Sequence, residues 1–462
     1  MKSHKEVKEF FFELEKEGAV FKYKYDDISY YSILRFPLEV FYRSSFNHVG
    51  KPSLSLYKRI VNYIKLKYEN LSNNQSNYIY DKDFEESDLL FVSTCPRVDK
   101  EGNSEDLDDI YKYYKSKGRI INYVQPNYRT SKVPIKDNSK DYILPINTLD
   151  VIVLGEEAKS ALKELLNYMS EFSGINFQNG YKSFLRNCQY HLGCASQLEK
   201  AIKQTKAKIV FVRSLYTEPW VAIACKRTGS DLVEVQHGVV GIHQVYFQSP
   251  AETLEENKKN YLFPDYLLTI GKEWEKIFKK QKLGIKKENV LTLGRGNYRV
   301  DREVKRTKRI TFFLQPGYFN DWFSIDQFIT SFIDRYIEAL LKSNYSISIR
   351  PHPNSNIGDY LKFEREGVSI ENPRVIPILE STKSADFIIG ATTMVLYEGL
   401  SFGKKVISFK KYKPMIEDDC GIQIVESESD LFDLIQQNYE PSVYAFLSEF
   451  DHKVLDELEN FK

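Results

Sequence analysis

Short apolar runs recur along the chain from about residue 87, each ending in a polar turn. Leu89-Leu90-Phe91-Val92 is the first, bounded by acids before it and by Cys95-Pro96 after it. The same pattern returns at residues 119–124, 151–155, 208–212, 232–235, 266–271 and 290–294. Such runs read as strands buried on both faces. Helical periodicity fills intervals at 156–168, 219–227 and 272–280. Residues 295–308 are polar and heavily charged, which marks a boundary. A second series follows, with strands at 310–314, 346–350, 386–390 and 405–409 and helices at 324–342 and from about 392 to 402.

Strands alternating with helices specify parallel sheets covered on both faces. Two successive series predict an α/β protein of two Rossmann-like, parallel-sheet domains facing each other across a cleft. The first spans residues 1–300 and the second 301–462. Residues 1–80 stand apart as an unassigned helical or extended segment, with amphipathic helices predicted at 7–16 and 54–68. Ligands of such sheets bind beyond the C-terminal strand ends.

Composition narrows the classes. A length of 462 residues suits two or three domains. The 65 basic and 64 acidic residues cancel, which argues against nucleic acid as a partner. Five scattered cysteines, an odd number, fit a reducing compartment better than a disulfide framework. The opening Met1-Lys2-Ser3-His4 runs into mixed charge without a signal-peptide core. No apolar run approaches the roughly 20 residues of a membrane helix. A cytoplasmic protein is expected. The 32 Tyr and 30 Phe read as compositional bias, with peripheral association at the inner face of the plasma membrane left open.

Candidate chemistry lies at predicted strand ends. In Gly390-Ala391-Thr392-Thr393-Met394 a strand stops at glycine, two hydroxyl residues follow, and a helix starts. Free N–H groups and the helix dipole make such a start an anion site. The same geometry also serves a simple cap. Glu398, about one turn in, could accept from ribose hydroxyls. Arg350-Pro351-His352-Pro353 ends another strand, and Arg350 and His352 can both donate to a phosphate. Gly317, in Gln315-Pro316-Gly317, would permit close phosphate approach. In the first series, Gln236-His237-Gly238 ends a strand. His237 suits a general base for an acceptor hydroxyl, because imidazole titrates near neutrality. Gly238 would allow a sharp turn, and His243 is a second acceptor-side candidate.

Other patterns carry less. Asp81-Lys82-Asp83 and Asp106-Leu107-Asp108 have the spacing of metal-binding carboxylates but sit in charged stretches and read as solvated acid. Cys188, His191 and Cys194 lack a clear fourth zinc ligand. No metal site is assigned, and no phosphate loop or nucleophile elbow appears.

The stretch from Thr392 to Ile407 resembles the "SSTVLYEALALGKPVI" segment of bacterial GT-B glycosyltransferases of surface-polysaccharide synthesis. Arg350-Pro351-His352-Pro353 resembles their "RPHP", and Gln236-His237-Gly238 their "QHG". The similar groups are capsule and teichoic-acid-type transferases and sialyl- or polysialyltransferases. The likeness covers roughly residues 205–410. It implies a metal-independent glycosyltransferase without a cofactor. A nucleotide-sugar donor would be held by His352, Thr392 and Thr393, with Glu398 at the nucleotide. A glycan or lipid-linked acceptor would lie near His237. Met394 stands where the family has a hydroxyl residue, and Gly399 and Lys404 replace its Ala and Pro, so CMP-, CDP- and UDP-linked donors all stay open. The alternatives are a CDP-polyol phosphotransferase of teichoic-acid type, a nucleotide-sugar 2-epimerase, and an inactive scaffold subunit of a capsule complex.

Overall fold

The computed structural model describes residues 4–46, 86–92, 107–126, 142–146, 152–239, 248–296, 298, 307–314, 323–409 and 421–460, apart from single positions 251, 254, 282, 354, 392 and 438. Two helices, His4–Lys16 and Tyr30–Ser45, open the chain around a hairpin of β1 (Lys24–Tyr25) and β2 (Ile28–Ser29). Then come β3 (Leu89–Val92), β4 (Ile121–Pro126), β5 (Tyr142–Ile146), β6 (Ile209–Arg213), β7 (Asp231–Val235), β8 (Tyr266–Thr269) and β9 (Val290–Thr292). They form one seven-stranded sheet in the order β5-β4-β3-β6-β7-β8-β9, parallel throughout.

The second series gives β10 (Arg309–Phe313), β11 (Ser346–Arg350), β12 (Val368–Ile370), β13 (Phe387–Gly390), β14 (Lys405–Phe409) and β15 (Gln423–Val425). These make a six-stranded parallel sheet in the order β12-β11-β10-β13-β14-β15. The expected α/β architecture of two Rossmann-like parallel sheets is therefore present.

Alternate strand residues face opposite layers. In the first sheet Leu90, Val92, Val210, Val212 and Leu232 pack under the two opening helices and the helices Tyr181–Thr205 and Trp220–Thr228. Leu89, Phe91, Phe211, Val233 and Val235 face the helix Asp108–Ser116. The opening helices are pinned by charge: Arg35 donates to Glu15 at 2.8 Å and to the Gln248 carbonyl at 2.6 Å, and Tyr261 donates to Glu15 at 2.8 Å.

Several expectations change. No strand forms over residues 152–155; Val153 is 85% exposed, and Gly155 instead precedes the helix Glu156–Ser173. The sheet edge is taken by β5, which pairs with β4. β12 and β15 escape the pattern because they are short edge strands with exposed positions. The C-terminal helix Lys453–Asn460, expected with the second domain, packs Val454, Leu455 and Leu458 against Leu89 and Phe91 of the first sheet. Asp108 is not a solvated loop acid but a buried residue at a helix start. The helix expected at 54–68, Asp81, Asp83 and Asp106 lie outside the described residues.

Candidate functional site

β13 ends at Gly390, and the helix Met394–Ser401 begins four residues on. Thr393 is its cap: the extended Thr393 backbone turns its hydroxyl to accept from the Val395 N–H at 3.4 Å. A Cβ at Gly390 would meet the Thr393 methyl at 3.1 Å and the Phe313 carbonyl at 3.2 Å, so glycine lets the cap sit close to β10. His352 lies beyond β11, half-buried, in a turn closed by Ser355 N–H on the His352 carbonyl at 2.8 Å. Because β10 lies between β11 and β13, the His352 turn and the Thr393 cap bracket its end, two strand spacings or roughly 10 Å apart. Thr392 and Gly317 lie outside the described residues.

Arg350 does not face this crevice. It is 4% exposed; its guanidinium donates to Glu371 at 3.0 Å, to Ser381 at 2.6 Å and to the Ile376 carbonyl at 2.8 Å. Burial alone would raise the Glu371 carboxyl. Hydrogen bonds from Ser381, Arg350 and Ser348 and the charge of Arg309 outweigh it and hold that group below the ordinary range. Arg350 acts as a strut that ties β11 to the loop over residues 371–377, and its described contacts are structural. Glu398 is also buried, with Oε1 3.6 Å from Arg295 of the segment after β9. The pair joins the Met394 helix to the first sheet's last connection.

In the first sheet β7 leads into Gln236-His237-Gly238. Gln236 is buried and spans two strand ends: its amide donates to the Gly238 carbonyl at 3.0 Å and accepts from Ile270 N–H at 3.2 Å. It shapes the turn, and an acceptor role is not built into its contacts. Gly238 has no left-handed φ, and a Cβ there would meet nothing, so its glycine character is not required by the turn. His243 lies outside the described residues. His237 is half-buried, its ring lying 5.7 Å from that of Tyr216 at 22°, with Nε2 3.5 Å from the phenol oxygen. Burial, with a smaller contribution from Glu234, raises the Tyr216 phenol above its usual range, so it stays a donor at neutral pH. Phe36 of the second opening helix meets Tyr216 edge-on at 5.2 Å, which brings the N-terminal segment to this site.

Glu234 went unread inside the apolar run Leu232-Val233-Glu234-Val235, although an acid in a buried strand is itself a signal. It is 1% exposed, and burial pushes its carboxyl up to about 8 against the lowering effect of a hydrogen bond from Leu215 N–H at 3.0 Å. Tyr216 and Arg295 carried no sequence motif; each matters through a partner distant along the chain.

The two halves meet in one apolar cluster. Trp274, Phe278 and Leu267 from the first sheet's side pack with Phe313, Val395, Leu396 and Tyr397 from the second. Val239, two residues beyond His237, and Met394, next to Thr393, both pack on this cluster.

No protein-family model matches the chain, and no curated protein matches its sequence. Among solved structures it is similar to the UDP-GlcNAc 2-epimerase of Methanocaldococcus jannaschii in complex with UDP-GlcNAc and UDP, at 13% identity over 80% of this chain and 99% of that one, TM-score 0.47. The UDP-GlcNAc 2-epimerase of Neisseria meningitidis bound to UDP-GlcNAc matches at 12% identity over 81% and 100%, TM-score 0.48. A lipopolysaccharide outer core galactosyltransferase matches at 12% over 75% and 88%, TM-score 0.37. These likenesses are weak, and the description of the fold rests on strand order and pairing.

Proposed function

We propose that the chain is a glycosyltransferase that moves a sugar from a nucleotide-sugar donor to a glycan or lipid-linked acceptor in bacterial surface-polysaccharide synthesis, without a metal ion or cofactor. The observation that carries this reading is the convergence of the His237 turn and the Met394 helix start on one cluster between the sheets. A donor phosphate at the Thr393 cap meets the cap hydroxyl and the positive end of the helix dipole. His352, one strand beyond β10, supplies a second donor. His237 takes the proton of an acceptor hydroxyl as its oxygen bonds to the anomeric carbon. The bond from that carbon to the phosphate oxygen breaks, and the electron pair leaves with the nucleotide. The charge developing on the phosphate is stabilised where the donors already point. Glu398, paired through Oε1 with Arg295, is the nucleotide-side contact, and Arg350 supports the site from beneath.

No described helix is long and apolar enough to cross a membrane; we place the protein in the cytoplasm, at the inner membrane face when its acceptor is lipid-linked.

The test is a thermal-shift screen against CMP, CDP, UDP, GDP and their sugars, followed by transfer assays. Binding at 100 times Kd raises stability by about 2.7 kcal/mol. Thr393→Ala and His352→Ala are expected to lower transfer at least tenfold each. Unchanged turnover in both would remove the assignment. Product mass separates sugar transfer from polyol-phosphate transfer, and an epimerised sugar formed from donor alone would favour the epimerase.

A further inference from the structure

We propose that Glu234 is the positioning residue of the His237 site: its carboxyl fastens the turn after β6 to β7, and that turn holds Tyr216 against the imidazole. The catalytic meaning rests on His237 acting as the acceptor-side base; the geometry does not.

Glu234 shares its face of β7 with Leu232, opposite Val233 and Val235, so its carboxyl enters the apolar layer beneath the opening helices. Its strand neighbour across β6 is Val212. An aliphatic side chain would fill that place without the penalty of burying a carboxyl. Oε1 accepts from Leu215 N–H at 3.0 Å, and Oε2 has no hydrogen-bond partner among the described residues. Packing therefore does not explain the acid, and the hydrogen bond it accepts among the described residues comes from the first residue of a strained turn.

Ser214 stands at φ 62°, ψ 49°, a left-handed conformation that strains a non-glycine residue. Residues Leu215–Thr217 follow as a single 3-10 turn, closed by Thr217 N–H on the Ser214 carbonyl at 3.1 Å and by the Thr217 hydroxyl on the same carbonyl at 2.9 Å. Glu218 N–H closes the next step on Leu215 at 2.9 Å. These bonds are internal to the turn. The Glu234 bond ties it to β7, the strand that ends in His237. Tyr216 is the middle residue of the turn, with its ring laid against His237 and Phe36 behind it. Strain at Ser214, the tie at Leu215 and the ring contact at Tyr216 form a continuous path from the buried carboxyl to the imidazole.

Two variants divide the possibilities. Glu234→Gln keeps an acceptor oxygen for Leu215 N–H; Glu234→Leu removes it at similar volume. The readout is the imidazole resonance of His237 in isotope-labelled protein, identified by its loss in His237→Asn. Glu234→Gln should leave that resonance and kcat near wild type. Glu234→Leu should move the resonance toward that of a solvent-exposed histidine and lower kcat roughly 10–100-fold, with nucleotide Kd within about twofold. An unmoved resonance in Glu234→Leu, or an equal displacement in Glu234→Gln, overturns the proposal. Should Glu234→Leu fail to fold, hydrogen exchange of the wild-type Leu215 amide decides. Protection matching the β7 amides supports the tie, and exchange at the rate of an open loop overturns it. The resonance and exchange measurements need no turnover, so a chain that bound no nucleotide would remove the proposed function and leave this test standing.

Discussion

Arg350 donates from both terminal nitrogens into a pocket closed by Glu371, Ser381 and the Ile376 carbonyl. Removing one member of a buried ion pair leaves its partner uncompensated, at about 3–5 kcal/mol. Arg309 also donates to Glu371, at 2.6 Å, so the lower end of that range applies. Arg350→Ala should therefore lower unfolding free energy by about 3 kcal/mol in urea, while His352→Ala, half-buried and two residues away, should change it by less than about 1 kcal/mol. Equal stability losses in the two variants would contradict the division between strut and ligand. Glu234 gives a pH dependence. Its folded carboxyl titrates at about 8 against 4.5 for the free group, so between those values the folded state holds a proton that the unfolded chain has lost. Stability from this group is full below pH 4.5 and falls by about 1.4 kcal/mol per pH unit as pH rises toward 8. Glu234 in turn helps to raise the Tyr216 phenol, which Arg213 lowers. Glu234→Gln should be flat where wild type declines, so the difference in melting temperature between them should move in the variant's favour from pH 4.5 to about 8.

At the scale of elements, the segment after β9 and the end of the chain run together. Arg295 N–H donates to the Ser448 carbonyl at 2.9 Å, Asp451 N–H to the Leu293 carbonyl at 2.8 Å, and Ser448 N–H to the Ile270 carbonyl at 2.9 Å. Gly294 makes this contact feasible: its φ is +77°, and a Cβ would stand 2.1 Å from the Glu449 carbonyl oxygen. Gly294→Ala combines a left-handed backbone with a clash against main chain that cannot swing away. It should cost at least about 2 kcal/mol. Limited proteolysis should then cut near residues 446–451 before it cuts elsewhere, and an unchanged cleavage pattern would show the contact to be dispensable. The Met394 helix differs. It is eight residues long, buried from Val395 to Ser401, and begins at a side-chain cap, so packing rather than length keeps it in place.

Among the described residues, the two parallel sheets are joined through the cluster around Trp274 and Tyr397, whose rings meet at 5.1 Å, and by a C-terminal helix that returns to the first sheet. The strand series was legible in the sequence because parallel strands covered on both faces need unbroken apolar runs, which local pattern records. So were the helix start after Gly390 and the half-buried His352 beyond β11, both being properties of adjacent residues. Of the four edge strands, β9 was legible and β5, β12 and β15 were not, since one open side relaxes the apolar requirement. The role of Arg350 was not either, because Glu371 lies 21 residues further on and nothing local distinguishes a strut from a ligand. Tyr216 meets His237 across the same separation of 21 residues, through the pairing of β6 with β7. The sequence by itself determined the central strands of both sheets and the helix start after Gly390, because hydrophobic period and capping act over a few residues. Only the tertiary structure decided which charged side chains reach the crevice and which are spent holding it. That choice depends on what long-range strand pairing sets opposite each one.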